Sequence, residues 1–210
     1  MSSLLREYVR RTLTEIVGDH CDCLAVFDFD DTLVTSDSAT RVIHADGTTE
    51  RLTSAAYALY SPEPGDKFDY SEFDSIKDPK PTKYLKVLRD AITTCGADCV
   101  LILTARASTA GPALQQFFSD LGVYVADIVT VGGGNISSEA AARAKALVIK
   151  DYTTRLRDRG LTVIHFYDDS SANIQAVEAI AQDPVFMGPD GEPAIELITH
   201  HVNVGSEHSG

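Results

Sequence analysis

Short apolar runs alternating with helical stretches constrain this chain more than any other feature. CLAVFDFD (23–30), CVLILTAR (99–106), VADIVTVGGG (125–134) and LTVIHFYDD (161–169) read as strands buried on both faces, because their apolar residues form runs instead of alternating with polar ones. TKYLKVLRDAITTCG (82–96), STAGPALQQFFSDLG (108–122), SSEAAARAKALVIKDYTTRLRDRG (137–160) and SANIQAVEAIAQD (171–183) carry apolar residues at helical spacing. PVFMG (184–188) reads as a last strand. The alternation predicts an α/β fold, a doubly wound three-layer αβα parallel sheet of the Rossmann type. In such sheets ligands bind beyond the carboxyl ends of the strands.

Three of those ends carry chemistry: Asp28, Asp30 and Asp31; Thr104 and Arg106; Asp168 and Asp169. Carboxylates crowded behind an apolar strand repel one another and resist desolvation. Two such clusters at neighbouring strand ends therefore predict a hard cation with oxygen ligands, such as Mg2+. Mg2+ commonly shares its site with a substrate phosphate, and a carboxylate close to phosphorus can attack it to form an aspartyl phosphate.

The chain of 210 residues suits one domain with a modest insertion. A net charge of −13 argues against a generic duplex-binding surface but leaves room for a small phosphorylated substrate. No apolar run approaches the roughly 20 residues of a membrane helix, so no membrane partner is expected. Residues 1–20 read as an amphipathic helix with Arg6, Arg10 and Arg11 on its polar side and without the pattern of a secretory signal, from which a cytoplasmic location is expected. Cys21, Cys23, Cys95 and Cys99 each precede a strand, and they read as buried reduced thiols. If the two strands are parallel neighbours, all four gather at one edge of the sheet, where a disulfide or a structural metal becomes testable.

The motifs resemble those of the haloacid dehalogenase superfamily. DFDDTLV (28–34) is similar to its first motif, LILTAR (101–106) to its second and HFYDDSSANI (165–174) to its acidic fourth, in the family's order and over roughly residues 24 to 187. The resemblance implies an Mg2+-dependent phosphomonoester hydrolase in which Asp28 is the nucleophile and Asp30 the general acid and then base. It further implies that Thr32 holds the loop, that Thr104 binds a phosphoryl oxygen, and that Mg2+ sits among Asp28, the Asp30 carbonyl, Asp169 and, as an auxiliary, Asp168. Asn173 would order that site. The family's third motif is a lysine. Lys145 shares a helical stripe with Ile149, Tyr152 and Leu156, whereas Lys150 is turned away by about 100°, so Lys145 is preferred. Arg106 is assigned to substrate phosphate, with a pairing to acid as its alternative.

Family members place a cap over the site, and here the insertion would be small, about residues 36–80 within a core of 21–190; residues 191–210 read as a tail that includes His200 and His201. Within the insertion TRVIHADGTTERL (40–52) predicts a hairpin turning at Asp46 and Gly47, TSAAYALY (53–60) a short helix, and the rest a polar loop. Tyr57, Tyr60, Phe68, Tyr70 and Phe73 are expected to form its core, with contact to substrate as the alternative. The expected substrate is a phosphorylated small molecule. A phosphorylated nucleic-acid end, a protein substrate, phosphoryl transfer to another acceptor, or a non-catalytic phosphate- or metal-binding module are the alternatives. Oligomeric state is left open.

Overall fold

The computed structural model describes residues 20–133 and 137–203; the helix read over residues 1–20 falls, but for His20, outside them. Ten strands and five α-helices are found there. The central sheet is parallel throughout and ordered β10-β9-β1-β7-β8, built from β1 (Cys23–Phe27), β7 (Val100–Ala107), β8 (Asp127–Gly132), β9 (Val163–Asp168) and β10 (Glu196–His201). The first strand thus lies at the centre, with the next two strands of the sheet in chain order, β7 and β8, on one side and the last two, β9 and β10, on the other. Such a reversal of strand order opens a crevice at the carboxyl edge.

Alternate residues of the strands fill two separate cores. Leu24, Val26, Leu101, Leu103, Ile164 and Phe166 point to one face, where they meet Ile149, Tyr152 and Leu156 of α4 (Ser138–Leu156) and Ile174 and Val177 of α5 (Ser171–Glu178). Ala25, Phe27, Val100 and Ile102 point to the other, against Leu85 and Leu88 of α2 (Tyr84–Cys95) and Leu114 and Phe118 of α3 (Gly111–Asp120). Burial on both faces explains why β1 and β7 read as continuous apolar runs; β8, at the edge of the sheet, is only half-buried beyond Asp127, and β9 is fully buried on one face alone, so the expectation of double burial is corrected for these two.

The helix starts follow local chemistry. Ser137 and Ser170 accept from the amides of Ala140 and Asn173 and so cap α4 and α5, and Pro112 occupies the first turn of α3, where its missing N–H costs nothing. No helix among the described residues is long and apolar enough to cross a membrane.

Between β1 and α2 the chain leaves and rejoins the sheet through a two-residue antiparallel ladder, β2 (Val34–Thr35) with β6 (Lys80–Pro81). Beyond this neck β3 (Ala39–Ile43), β4 (Thr49–Thr53) and β5 (Lys67–Asp69) form an antiparallel sheet ordered β4-β3-β5, with α1 (Ser54–Leu59) following β4. The β3–β4 hairpin turns through Gly47 at φ 84°, a conformation that favours glycine. Tyr57, Tyr60, Phe68 and Tyr70 pack against one another, and the Tyr57 and Tyr70 hydroxyls lie 2.7 Å apart. Phe73 is not part of this cluster.

Other expectations are corrected as well. PVFMG is not a strand: Asp183 caps a 3-10 turn over Pro184–Phe186, and proline in its first position favours that turn over a ladder. The fifth strand is instead β10, within the stretch read as a tail. There His200 stacks on Tyr167 with ring centres 4.1 Å apart, and the His201 ring lies 2.8 Å from the Asp169 carbonyl. Part of the polar loop of the insertion is also ordered as β5 and a 3-10 turn over Ser71–Asp74.

The cysteines are not reduced thiols but two disulfides, Cys21–Cys99 and Cys23–Cys95. Parallel pairing of β1 with β7 brings their amino ends side by side, with Cα atoms 6.0 and 5.3 Å apart, within the usual disulfide range.

Candidate functional site

The carboxyl ends of β1, β7 and β9 converge. β1 stops at Phe27, and the next turn puts Asp28 at the mouth of the sheet, its amide donating to the Tyr167 carbonyl of β9. The chain then folds back sharply: the Leu33 and Val34 amides both donate to the Phe29 carbonyl, and Asp31 adopts the left-handed region at φ 55°. Asp tolerates that conformation better than most residues, which gives Asp31 a role as the turn residue beside the two acids to which the sequence reading gave chemistry.

Asp28 and Asp168 share one ammonium. Lys145, 1% exposed, donates from Nζ to Asp28 Oδ1 at 2.6 Å and to Asp168 Oδ2 at 2.7 Å. It projects from the buried stripe of α4 that also carries Ile149, Tyr152 and Leu156, whereas Lys150 leaves the helix toward Asp183 at the surface. Burial opposes the charge on Lys145, but Asp168 and Asp28 outweigh it and hold the ammonium above its ordinary range.

Asp168 is fully engaged: the Ser170 amide and the Asn173 side-chain nitrogen both donate to its Oδ1 at 2.9 Å, and Asn173 also reaches Oδ2. Asp169 has far less company. Its carboxylate accepts from the Thr32 hydroxyl, at 3.5 Å, while the His201 ring meets its carbonyl and not its side chain. One oxygen from each of Asp28, Asp168 and Asp169 lies within 4.8 Å of the others, an all-oxygen group of the kind that can hold a hard cation. Burial, followed by repulsion from Asp168 and Asp31, pushes Asp169 up to about 7. Burial also raises Asp28 well above the carboxylate range, with Lys145 opposing and Asp168, Asp169 and Asp30 adding to the rise. Three acids against one ammonium leave the pocket short of positive charge.

Thr104 ends the regular part of β7. Its buried hydroxyl accepts from the Arg106 amide at 3.2 Å, and the β7–β8 register shifts just beyond it. Gly132 of β8 makes room for this bulge: a Cβ there would stand 1.8 Å from the Ala105 carbonyl oxygen.

Arg106 and Asp30 are placed differently from Asp28 and its partners. The Asp30 carboxylate lies outside the group of three acids and is gripped by Arg106, from Nε at 2.8 Å and Nη2 at 2.7 Å. Arg106 Nη1 donates to the carbonyls of Phe73 and Ser75. Four of the five guanidinium N–H donors are therefore engaged within the protein, which fits the acid-pairing alternative better than the assignment to substrate phosphate. Neither carbonyl had a signal in the sequence, since backbone partners depend on tertiary placement.

Fold and site define the class: an open parallel α/β sheet of Rossmann-like architecture with a buried lysine–aspartate cluster at its switch point. The chain matches no protein-family model and no curated protein.

Proposed function

We propose that this protein is an Mg2+-dependent phosphomonoester hydrolase that works through an aspartyl phosphate on Asp28, with the β4-β3-β5 insertion as a small lid. The observation that carries the reading is the setting of Asp28: a carboxylate at a strand end, touching a buried ammonium on one side and within reach of two more carboxylates on the other.

Asp28 attacks phosphorus. Lys145 favours the ionised form of Asp28 against the effect of burial and offsets charge on the phosphoryl oxygens. Thr104 donates its hydroxyl to one of those oxygens, and Asp30 gives a proton to the leaving oxygen, then takes one from the water that cleaves the phospho-enzyme. Asp28, the Asp30 carbonyl, Asp169 and Asp168 would hold Mg2+, with Asp169 the better placed of the last pair because Asp168 is occupied by Lys145, Ser170 and Asn173. Bound there, Mg2+ supplies the charge that lets an anionic carboxylate approach an anionic phosphate.

The test is a panel of phosphorylated metabolites, nucleotides and 3′- or 5′-phosphorylated oligonucleotides, assayed with Mg2+ and with EDTA. Wild type is expected to release phosphate from at least one member only with Mg2+, and Asp28→Asn to lose at least about a thousandfold. No release from any member, or equal activity of Asp28→Asn, overturns the reading.

A further inference from the structure

Arg106 takes no direct part in the steps above, yet its side chain is only 1% exposed and its contacts span two parts of the chain. On one side it forms a fork-to-fork pair with Asp30. On the other it donates to Phe73 and Ser75, at 2.8 and 2.7 Å, in the 3-10 turn and its exit within the insertion. Its guanidinium carbon lies 5.2 Å from the Phe29 ring centre and 5.4 Å from that of Phe73, so aromatic rings hold its plane as well. A second tie joins the same turn to the 3-10 turn that follows β7 (Ser108–Ala110), the Thr109 hydroxyl donating to Asp74.

We infer that Arg106 is a positioning residue: it fixes where the Asp30 carboxylate stands and makes that placement depend on the seating of the 71–75 turn. The planar fork suits this task. It meets both carboxylate oxygens at once and still has an Nη1 free for two carbonyls, which a lysine ammonium cannot reproduce. The insertion is thereby coupled to the proton-transfer group and not only to the mouth of the pocket.

The catalytic consequence rests on the hydrolase reading. In the first step a bond forms between an Asp28 oxygen and phosphorus as the bond from phosphorus to the leaving oxygen breaks, and a proton taken up by Asp30 from solvent, on a lone pair that the Arg106 fork leaves open, moves to that oxygen. A leaving group that departs as a stable anion, such as dinitrophenolate, needs no proton; phenolate does. Displacing Asp30 therefore slows phenyl phosphate far more than dinitrophenyl phosphate.

Two measurements test the inference on the full chain. Hydrogen exchange without substrate reads the coupling itself: Asp30→Asn, Arg106→Gln and Arg106→Lys are each expected to speed exchange of the Phe73 amide, which donates to the Tyr70 carbonyl, by about tenfold or more. An unchanged rate in Asp30→Asn overturns the link between acid and turn. Single-turnover release of the leaving group reads the consequence. Arg106→Gln and Arg106→Lys are expected to lose about a hundredfold on phenyl phosphate and under about tenfold on dinitrophenyl phosphate, with the double variant Asp30→Asn/Arg106→Gln no slower than Asp30→Asn alone. Equal losses on both substrates, additive losses in the double variant, or a raised KM rescued by Arg106→Lys overturn the positioning role. Wild type inactive on both substrates overturns the hydrolase reading instead, and the exchange result still decides the coupling.

Discussion

Lys145→Met is expected to lower the stability of this protein by about 3–5 kcal/mol, read as a shift in the urea midpoint, because it strips the ammonium from between two buried carboxylates. Asp28 and Asp168 are 5% and 0% exposed, so water cannot replace the lost hydrogen bonds. A loss of that size is a large part of the 5–15 kcal/mol that holds a typical domain together. Adding Asp168→Asn to Lys145→Met should recover part of the loss, since one unpaired charge is removed with its partner. Lys150→Met provides the contrast. Its pair with Asp183 is about 30% exposed on both sides, and the expected cost is about 1 kcal/mol or less. Equal costs for the two lysines would contradict the central place given to Lys145.

The second large effect is expected from reduction. Cys21–Cys99 and Cys23–Cys95 span 78 and 72 residues, and both loops contain the whole insertion. Chain-entropy arguments give about 4.5 kcal/mol for the first crosslink and only about 2.5 for the second, which then closes a much shorter path. A reductant is therefore expected to lower Tm by many degrees. Replacing either pair by alanine should have a smaller effect than replacing both. Thiol titration of the unreduced, denatured chain is expected to find none of the four cysteines free. Four titratable thiols, or a Tm indifferent to reductant, would contradict the pairing. The disulfides also remove the argument from cysteine usage for a reducing compartment.

Those cysteines mark where sequence reading stops. Each stands just before a strand, but which thiol meets which depends on β1 and β7 being parallel neighbours, and connectivity does not follow from spacing. Lys145 was legible for the opposite reason: its neighbours on the helix face are fixed by the 3.6-residue period, and Ile149, Tyr152 and Leu156 are buried beside it as that period requires. Asp28, Thr104 and Asp168 were legible because a polar residue ending a largely apolar strand has few other places to be. The strand β10 was not: ELITHH (196–201) mixes two histidines and a glutamate into an edge strand, and the more apolar PVFMG nearby drew the assignment despite its proline. Arg106 shows a third kind of limit. Its residue type announced a carboxylate or phosphate partner, and only the folded insertion decided that the partners are Asp30 and two carbonyls.

The central claim is that Asp28 carries the phosphoryl group, and acid-quenched turnover with a phosphorus-labelled substrate tests it most directly. Wild type incubated with Mg2+ and substrate is expected to retain label on the peptide containing residues 25–34, at Asp28, with the label lost in Asp28→Asn and enriched in Asp30→Asn, where the water step is slowed. Phosphate release by wild type with no label on that peptide, or label that persists in Asp28→Asn, would contradict it.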